Sequence, residues 1–264
     1  MLVGKGVADN TDSGGYVSGV VEGQRAHFGE SLRQLRLAQK SSKGAPLYSL
    51  VVNRPMGRVL AAASFHVGLT PNQVTAVSAV FTFSGIAVLV LAPASTVVGA
   101  VIALLLVLGY GLDAADGQLA RLRGGGSPEG EWLDHLTDSV KVVVIHLAVA
   151  VALFGSYDLS PAWLLVPLVF AVSSSVHFFG MVLVDLLGRE QRARTGRPAP
   201  VLQASWLRTT LKLPMDYGLL CLSFLLLGWH AGFLGLYTVL AVGSTGYLVL
   251  VVPKWTRDVR AIAG

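Results

Sequence analysis

Asp113, Asp116, Asp134 and Asp138, interleaved with Gly117, Ala120, Arg121 and Gly130, fill every fixed position of the pattern D-x2-D-G-x2-A-R-x8-G-x3-D-x3-D. Asp113 and Asp116 stand three residues apart and Asp134 and Asp138 four, so on helices each pair projects from one face about a turn apart. Two such helices facing each other bring four carboxylates to one point. Like charges that close together repel strongly outside water unless a cation sits among them, and a donor set of oxygens alone suits Mg2+ or Mn2+ rather than zinc. Gly117 leaves backbone open to a ligand, and Arg121, two turns beyond Asp113, offers a planar fork to a phosphate. The expectation is a divalent metal site with a phosphate beside it.

A solvated charged helix end is the plainer reading of such a cluster, but its surroundings argue against it. Residues 97–112 and 142–154 are almost wholly apolar, so the acids stand at the ends of two candidate membrane spans, where ionisable groups are costly and functional. The whole chain has that character: 53% of it is hydrophobic and 13% charged, a membrane composition rather than a soluble one. The net charge of +5 raises the question of nucleic acid. The basic residues, however, lie in links between apolar stretches rather than in a patch among aromatics, which excludes nucleic acid as a partner and points to the positive-inside rule. The single cysteine, Cys221, falls in an apolar segment and reads as a buried structural thiol.

The elements that must position the acids can be taken in order. Residues 1–20 carry no apolar h-region, so insertion is expected to rely on an internal span, and residues 1 to about 28 read as loosely attached. Leu32, Leu35 and Leu37 alternate with Arg33, Arg36 and Lys40 as a short basic helix, suited either to an anionic membrane surface or to a solvated tail. Val52, Met56, Val59, Leu60 and Ala63 keep helical spacing while Arg54 and Arg58 face elsewhere, which predicts an interfacial amphipathic helix beginning near Pro55. Thr70, Pro71 and Gln73 supply an N-cap, a first-turn proline and a capping-box partner, so a helix must start there.

Six transmembrane helices are expected, over about 74–91, 97–121, 132–154, 161–187, 214–227 and 233–252, in an all-α integral membrane fold. The fifth is short for the bilayer, and its start is expected nearer Leu207. Basic residues cluster before the first span, around Arg121 and Arg123, between Arg189 and Lys212, and in the tail. The links at 92–96, 155–160 and 228–232 hold none. Both termini and the acidic motif then face the cytoplasm. Arginine exceeds lysine, and alanine, valine and glycine are abundant, a composition that points to a bacterial plasma membrane. Lys141 shares the face of Asp134 and Asp138, either neutralising the acids or holding a substrate phosphate. Asp185 and Asp216 are expected to pair with the arginines between them, and His177 with Ser173 to mediate helix packing.

The motif resembles the signature of the CDP-alcohol phosphotransferase family, and the likeness extends over about residues 48–252, through the six-span layout and the Pro71-Asn72 start of the first span. Residues 1–47 form an N-terminal cytoplasmic segment outside it, and 48–264 the membrane domain. The resemblance implies a homodimeric enzyme that moves a phospho-alcohol from a CDP-linked donor to an acceptor hydroxyl of a lipid or polyol phosphate and releases CMP. It also implies two Mg2+ or Mn2+ ions on Asp113, Asp116 and Asp134, with Asp138 as a metal neighbour and general base. Asn72, Gly117, Ala120, Arg121 and Gly130 would line the cytidine diphosphate. No serine or cysteine is arranged as a nucleophile, so direct transfer is expected.

The likeness divides on substrate. The stretch 127–135 is similar to the choline and ethanolamine branch, in which a histidine after the third aspartate, here His135, helps activate the acceptor. The stretches 48–54 and 69–75 look like the inositol-phosphate-using branch, with Arg189 to Arg197 as acceptor-site candidates. A different class, a divalent-cation transporter using the same carboxylates, remains as an alternative. It has no need of Gly117, Arg121 and Gly130.

Overall fold

The computed structural model describes residues 28–37, 46–196, 210 and 212–263, and among them there is helix but no strand. The helices are α1 (Phe28–Leu37), α2 (Arg54–His66), α3 (Pro71–Leu91), α4 (Thr96–Leu122), α5 (Pro128–Ser156), α6 (Leu165–Thr195), α7 (Tyr217–Ser223) and α8 (His230–Ala263). A π-helical turn over Ser49–Asn53 leads into α2, and a 3-10 turn over Pro161–Leu164 opens α6. The start at Thr70 is as expected: its hydroxyl accepts from the Gln73 amide and the Gln73 side chain returns to the Thr70 amide, closing a capping box. Ser95 and Ser127 cap α4 and α5 in the same way through the amides of Val98 and Gly130.

Five helices are long and apolar enough to cross a membrane: Pro71–Leu91, Thr96–Leu122, Pro128–Ser156, Pro161–Thr195 and His230–Ala261. The protein is therefore an integral membrane protein. No more than 39% of any one of their most apolar windows is buried inside the protein, so most of that apolar surface faces outward, toward lipid. The expected fifth span is a shorter apolar stretch, Tyr217–Leu226, made of α7 and a 3-10 turn. Its proposed extension toward Leu207 lies outside the described residues, as do Arg197, Arg208 and most of residues 1–47.

Helix α4 is the hub. It packs against α2, α3 and α7, while α5 joins α3 to α6 and α6 joins α5 to α8. The larger core cluster includes Ile102, Leu106, Ile145, Phe170, Phe224 and Tyr237, and a second, nearer the acids, gathers Leu35, Ala61, Ala62, Val74, Ala115 and Leu119. Leu35 brings α1 onto α2 and α4. The face by which α2 packs differs from the apolar stripe expected. Gly57, Ala61, Ala62 and Ser64 are buried, while Val52, Val59 and Ala63 face out. Small residues win the inner face because α2 lies close on α4: a Cβ on Gly57 would come within 2.9 Å of the Ala114 methyl. Val52 and Val59 are left outward, as a helix at a membrane surface requires, while Met56 and Leu60 are half-buried beside Gly111 of α4.

Close approach recurs where α4 meets the short fifth stretch. A Cβ on Gly99 would strike the Phe224 carbonyl and lie 2.9 Å from Leu227 Cβ. Gly99→Ala must push the two segments apart, and we expect it to cost about 1–3 kcal/mol, read as a lower unfolding midpoint in detergent.

The candidate active site

Three of the four acids meet where α4 and α5 face each other. Oxygens of Asp113, Asp134 and Asp138 lie within 4.8 Å of one another, the separation of a group able to hold a metal ion. The register is the one the spacing requires: Asp134 and Asp138 are a turn apart on α5, and Asp113 enters from two turns before the end of α4. Lys141, one turn beyond Asp138, is 3% exposed and gives its ammonium to Asp113 Oδ1 and Asp138 Oδ1, both at 2.7 Å. Its single charge offsets part of theirs. Both contacts use Oδ1, so the second oxygen of each carboxylate remains available to a cation.

Asp116, the fourth acid, is turned otherwise. It is buried, accepts the Thr75 hydroxyl through Oδ2 and the Gly117 amide through Oδ1. Thr75 is a participant that the sequence reading missed. Its place one turn after Asn72 on α3 was the available signal. Asn72 meets the start of α5: a Cβ on Gly130 would lie 3.0 Å from Asn72 Oδ1, so glycine is what lets the first turns of α3 and α5 approach. The nearest outside atom to a Cβ built on Gly117 is Arg121 Nη1 at 3.6 Å, so these two residues face the same open side of α4. Ala120 is half-buried, and its carbonyl accepts the Gly125 amide in the turn that ends the helix. Arg123 donates to the Leu69 carbonyl at 2.7 Å and lies over the Phe65 ring, which ties the end of α4 to the turn before α3.

The remaining candidates are dispersed. His135 is on the α5 surface, with Nε2 3.7 Å from Glu131, its ring edge-on to Phe178, and a buried Nδ1 that has no hydrogen-bond partner. Asp185 pairs with Arg189 as expected, and Arg189 also reaches Glu131 at 2.6 Å. Among the described residues Asp216 pairs with no arginine; it accepts the amides of Tyr48 at 2.8 Å and Gly218 at 3.1 Å. The reason is local: it is the N-cap of α7, where bare amides compete for a carboxylate. His177 sits between the rings of Tyr247 and Trp255, in keeping with helix packing.

A membrane bundle that presents clustered carboxylates, a buried lysine and a glycine-flanked arginine at the end of two spans defines a class of intramembrane phosphotransferase. A profile of the CDP-alcohol phosphatidyltransferase family matches residues 68–249, and the chain belongs to that family. It is accordingly an enzyme, a CDP-alcohol phosphotransferase of lipid synthesis that transfers a phospho-alcohol group from a CDP-linked donor. The transporter alternative falls away with this finding. Among solved structures the chain is similar to phosphatidylinositol phosphate synthase of Mycobacterium tuberculosis, crystallised with CDP-DAG bound. Identity is 20% and the TM-score 0.47, over 77% of this chain and 93% of that one. Comparison with curated proteins found no match.

Proposed function

We propose that the reaction is metal-dependent and that Asp113, Asp116, Asp134 and Asp138 hold one or two Mg2+ or Mn2+ ions. The observation that carries this is the convergence of three carboxylates from two helices within 4.8 Å. The donor set fits a hard cation, since it is oxygen alone, and Asp113 and Asp138 keep an oxygen beyond the Lys141 contact. Bound there, the metal supplies Lewis-acid stabilisation of charge on the phosphates. Gly117, Ala120, Arg121 and Gly130, with Asn72, bind the cytidine diphosphate, and Arg121 carries the charge complement. Asp138 takes the proton of the acceptor hydroxyl as it attacks phosphorus. A second reading gives that proton to His135, and its unpartnered, buried Nδ1 favours it.

The enzyme works as a homodimer, as the family resemblance implies, in a bacterial plasma membrane; the placement of the basic links supports cytoplasmic termini and active site, with the short stretch Tyr217–Leu226 as a sixth crossing. The test is CMP release by purified protein in detergent, with Mg2+ and with excess chelator. CDP-diacylglycerol is offered with polyol phosphates, and small CDP-alcohols with diacylglycerol. Release that persists undiminished in chelator would overturn the metal assignment.

Thr75 has a part in this scheme that can be checked separately. Its hydroxyl fixes the rotamer of Asp116, and the loss of such a supporting contact commonly costs 10–100-fold in metal affinity or activity. Thr75→Val is expected to raise the Mg2+ concentration for half-maximal CMP release by about tenfold. Thr75→Ser, which keeps the hydroxyl, should stay near wild type.

A further inference from the structure

Asp216 is 1% exposed, and its carboxylate meets backbone amides from two distant parts of the chain. Its Oδ1 accepts the Gly218 amide at 3.1 Å, which caps α7, and its Oδ2 accepts the Tyr48 amide at 2.8 Å from 168 positions away. The Ser49 amide joins them. A helix cap needs only the first of these bonds. The others draw the chain ahead of α2 onto α7, so closely that a Cβ on Gly218 would strike the Tyr48 ring. That chain runs on as the π-helical turn Ser49–Asn53, a form rare in proteins and frequent at functional sites.

What Tyr48 and Ser49 hold in turn is Tyr110. The Tyr48 and Tyr110 rings stack with centroids 6.2 Å apart and planes at 15°, and the Ser49 side chain shares a hydrogen bond with the Tyr110 hydroxyl. From the other side Tyr217, the residue after Asp216, meets the same ring edge to face at 5.1 Å. Tyr110 is thus gripped at its ring and at its hydroxyl by residues that Asp216 orders. It stands one turn before Asp113 on α4, and the two line a cavity of about 270 Å3 together with Asp138 and Lys141.

We propose that Asp216 is a positioning residue of the metal centre: through Tyr48 and Ser49 it fixes Tyr110, and Tyr110 fixes the turn of α4 from which Asp113 meets Asp134 and Asp138. The inference rests on the metal reading above and deepens it. Helix α4 is held by α2, α3 and α7, and from there Asp113 must bring an oxygen within 4.8 Å of two carboxylates that α5 carries. A small shift of that one turn opens the cluster, and removal of a contact that orients a ligand commonly costs a metal site 10–100-fold in affinity.

The test measures Mn2+ binding to purified protein in detergent, from the electron paramagnetic resonance signal of the free ion, beside the unfolding midpoint without metal. Asp216→Asn keeps an oxygen for the Gly218 amide and turns an NH2 group toward the Tyr48 amide, so it retains the cap and breaks the clamp. Its Kd for Mn2+ is expected to rise about tenfold. Ser49→Ala changes no charge, removes one hydroxyl from a half-buried position and should raise the Kd about threefold, within the worth of one hydrogen bond. As the milder change it guards against a misfolded Asp216 variant. Tyr110→Leu should match Asp216→Asn, and the two together should weaken binding no further, because both break one chain of contacts. A Kd within about twofold of wild type in both Asp216→Asn and Ser49→Ala, whatever the midpoint does, makes Asp216 a helix cap only and overturns the proposal. Effects of Asp216→Asn and Tyr110→Leu that add in full overturn it as well, and either result leaves the metal reading standing. Wild-type protein that binds no Mn2+ overturns that reading and the proposal together.

Discussion

Asp138→Asn is expected to lower CMP release by about 10²–10⁴-fold, the usual worth of a positioned proton acceptor, while leaving the bundle folded. The substitution keeps the shape and the acceptor oxygen that Lys141 bonds at 2.7 Å, so Lys141 stays in place to bond Asp113 across the two helices. What it removes is the negative charge and the basicity. Two causes of lost activity can then be separated. If Asp138 acts as a ligand alone, raising Mg2+ restores the rate. If it takes the acceptor proton, metal does not help, and the rate stays low at saturating Mg2+. His135→Gln provides the counterpart. A fall as large as that of Asp138→Asn would assign the proton to His135, and a change of less than about threefold would leave Asp138 as the base, small against the effect of a true general base.

The spacing of the acids told the meeting of three of the four in advance, because helical periodicity alone sends Asp134 and Asp138 to one side of α5 and Asp113 toward them from α4. The Thr70 capping box and the serine caps before α4 and α5 were equally legible, since capping is a short-range affair of side chain and amide. The face of α2 was not. An apolar stripe predicts burial only when water is the alternative; beside lipid, small residues such as Gly57 and Ala61 take the interface and Val59 goes outward. Thr75 was legible only in part. Its place one turn after Asn72 marked its face of α3, but its partner Asp116 stands 41 positions away, and no local pattern encodes that meeting. Asp216 shows the opposite failure. Nearby arginines suggested an ion pair, yet the amides at the start of its own helix were nearer.

Lys141→Met should destabilise the metal-free protein by about 3–5 kcal/mol, the cost of leaving buried charge without its partner. Lys141 is almost wholly enclosed, and it is the cation that Asp113 and Asp138 share. With the ammonium gone, two carboxylates face each other with little water to screen them, and their repulsion works directly against the approach of α5 to α4 around the acids. The sign of the metal effect then follows. In wild type the lysine already compensates the acids, so adding Mg2+ to metal-free protein should raise the unfolding midpoint modestly. In Lys141→Met the same addition should recover most of the loss, because a cation that binds only the folded state stabilises it by mass action. Methionine fills the volume of the lysine stem, so a packing defect is not the cause. The double variant Lys141→Met with Asp113→Asn checks this, since removing one charge of the pair should return much of the stability without metal. A single variant as stable as wild type in chelator, or a loss that neither Mg2+ nor the second substitution repairs, would show that Lys141 is not the internal counter-ion of the acid cluster.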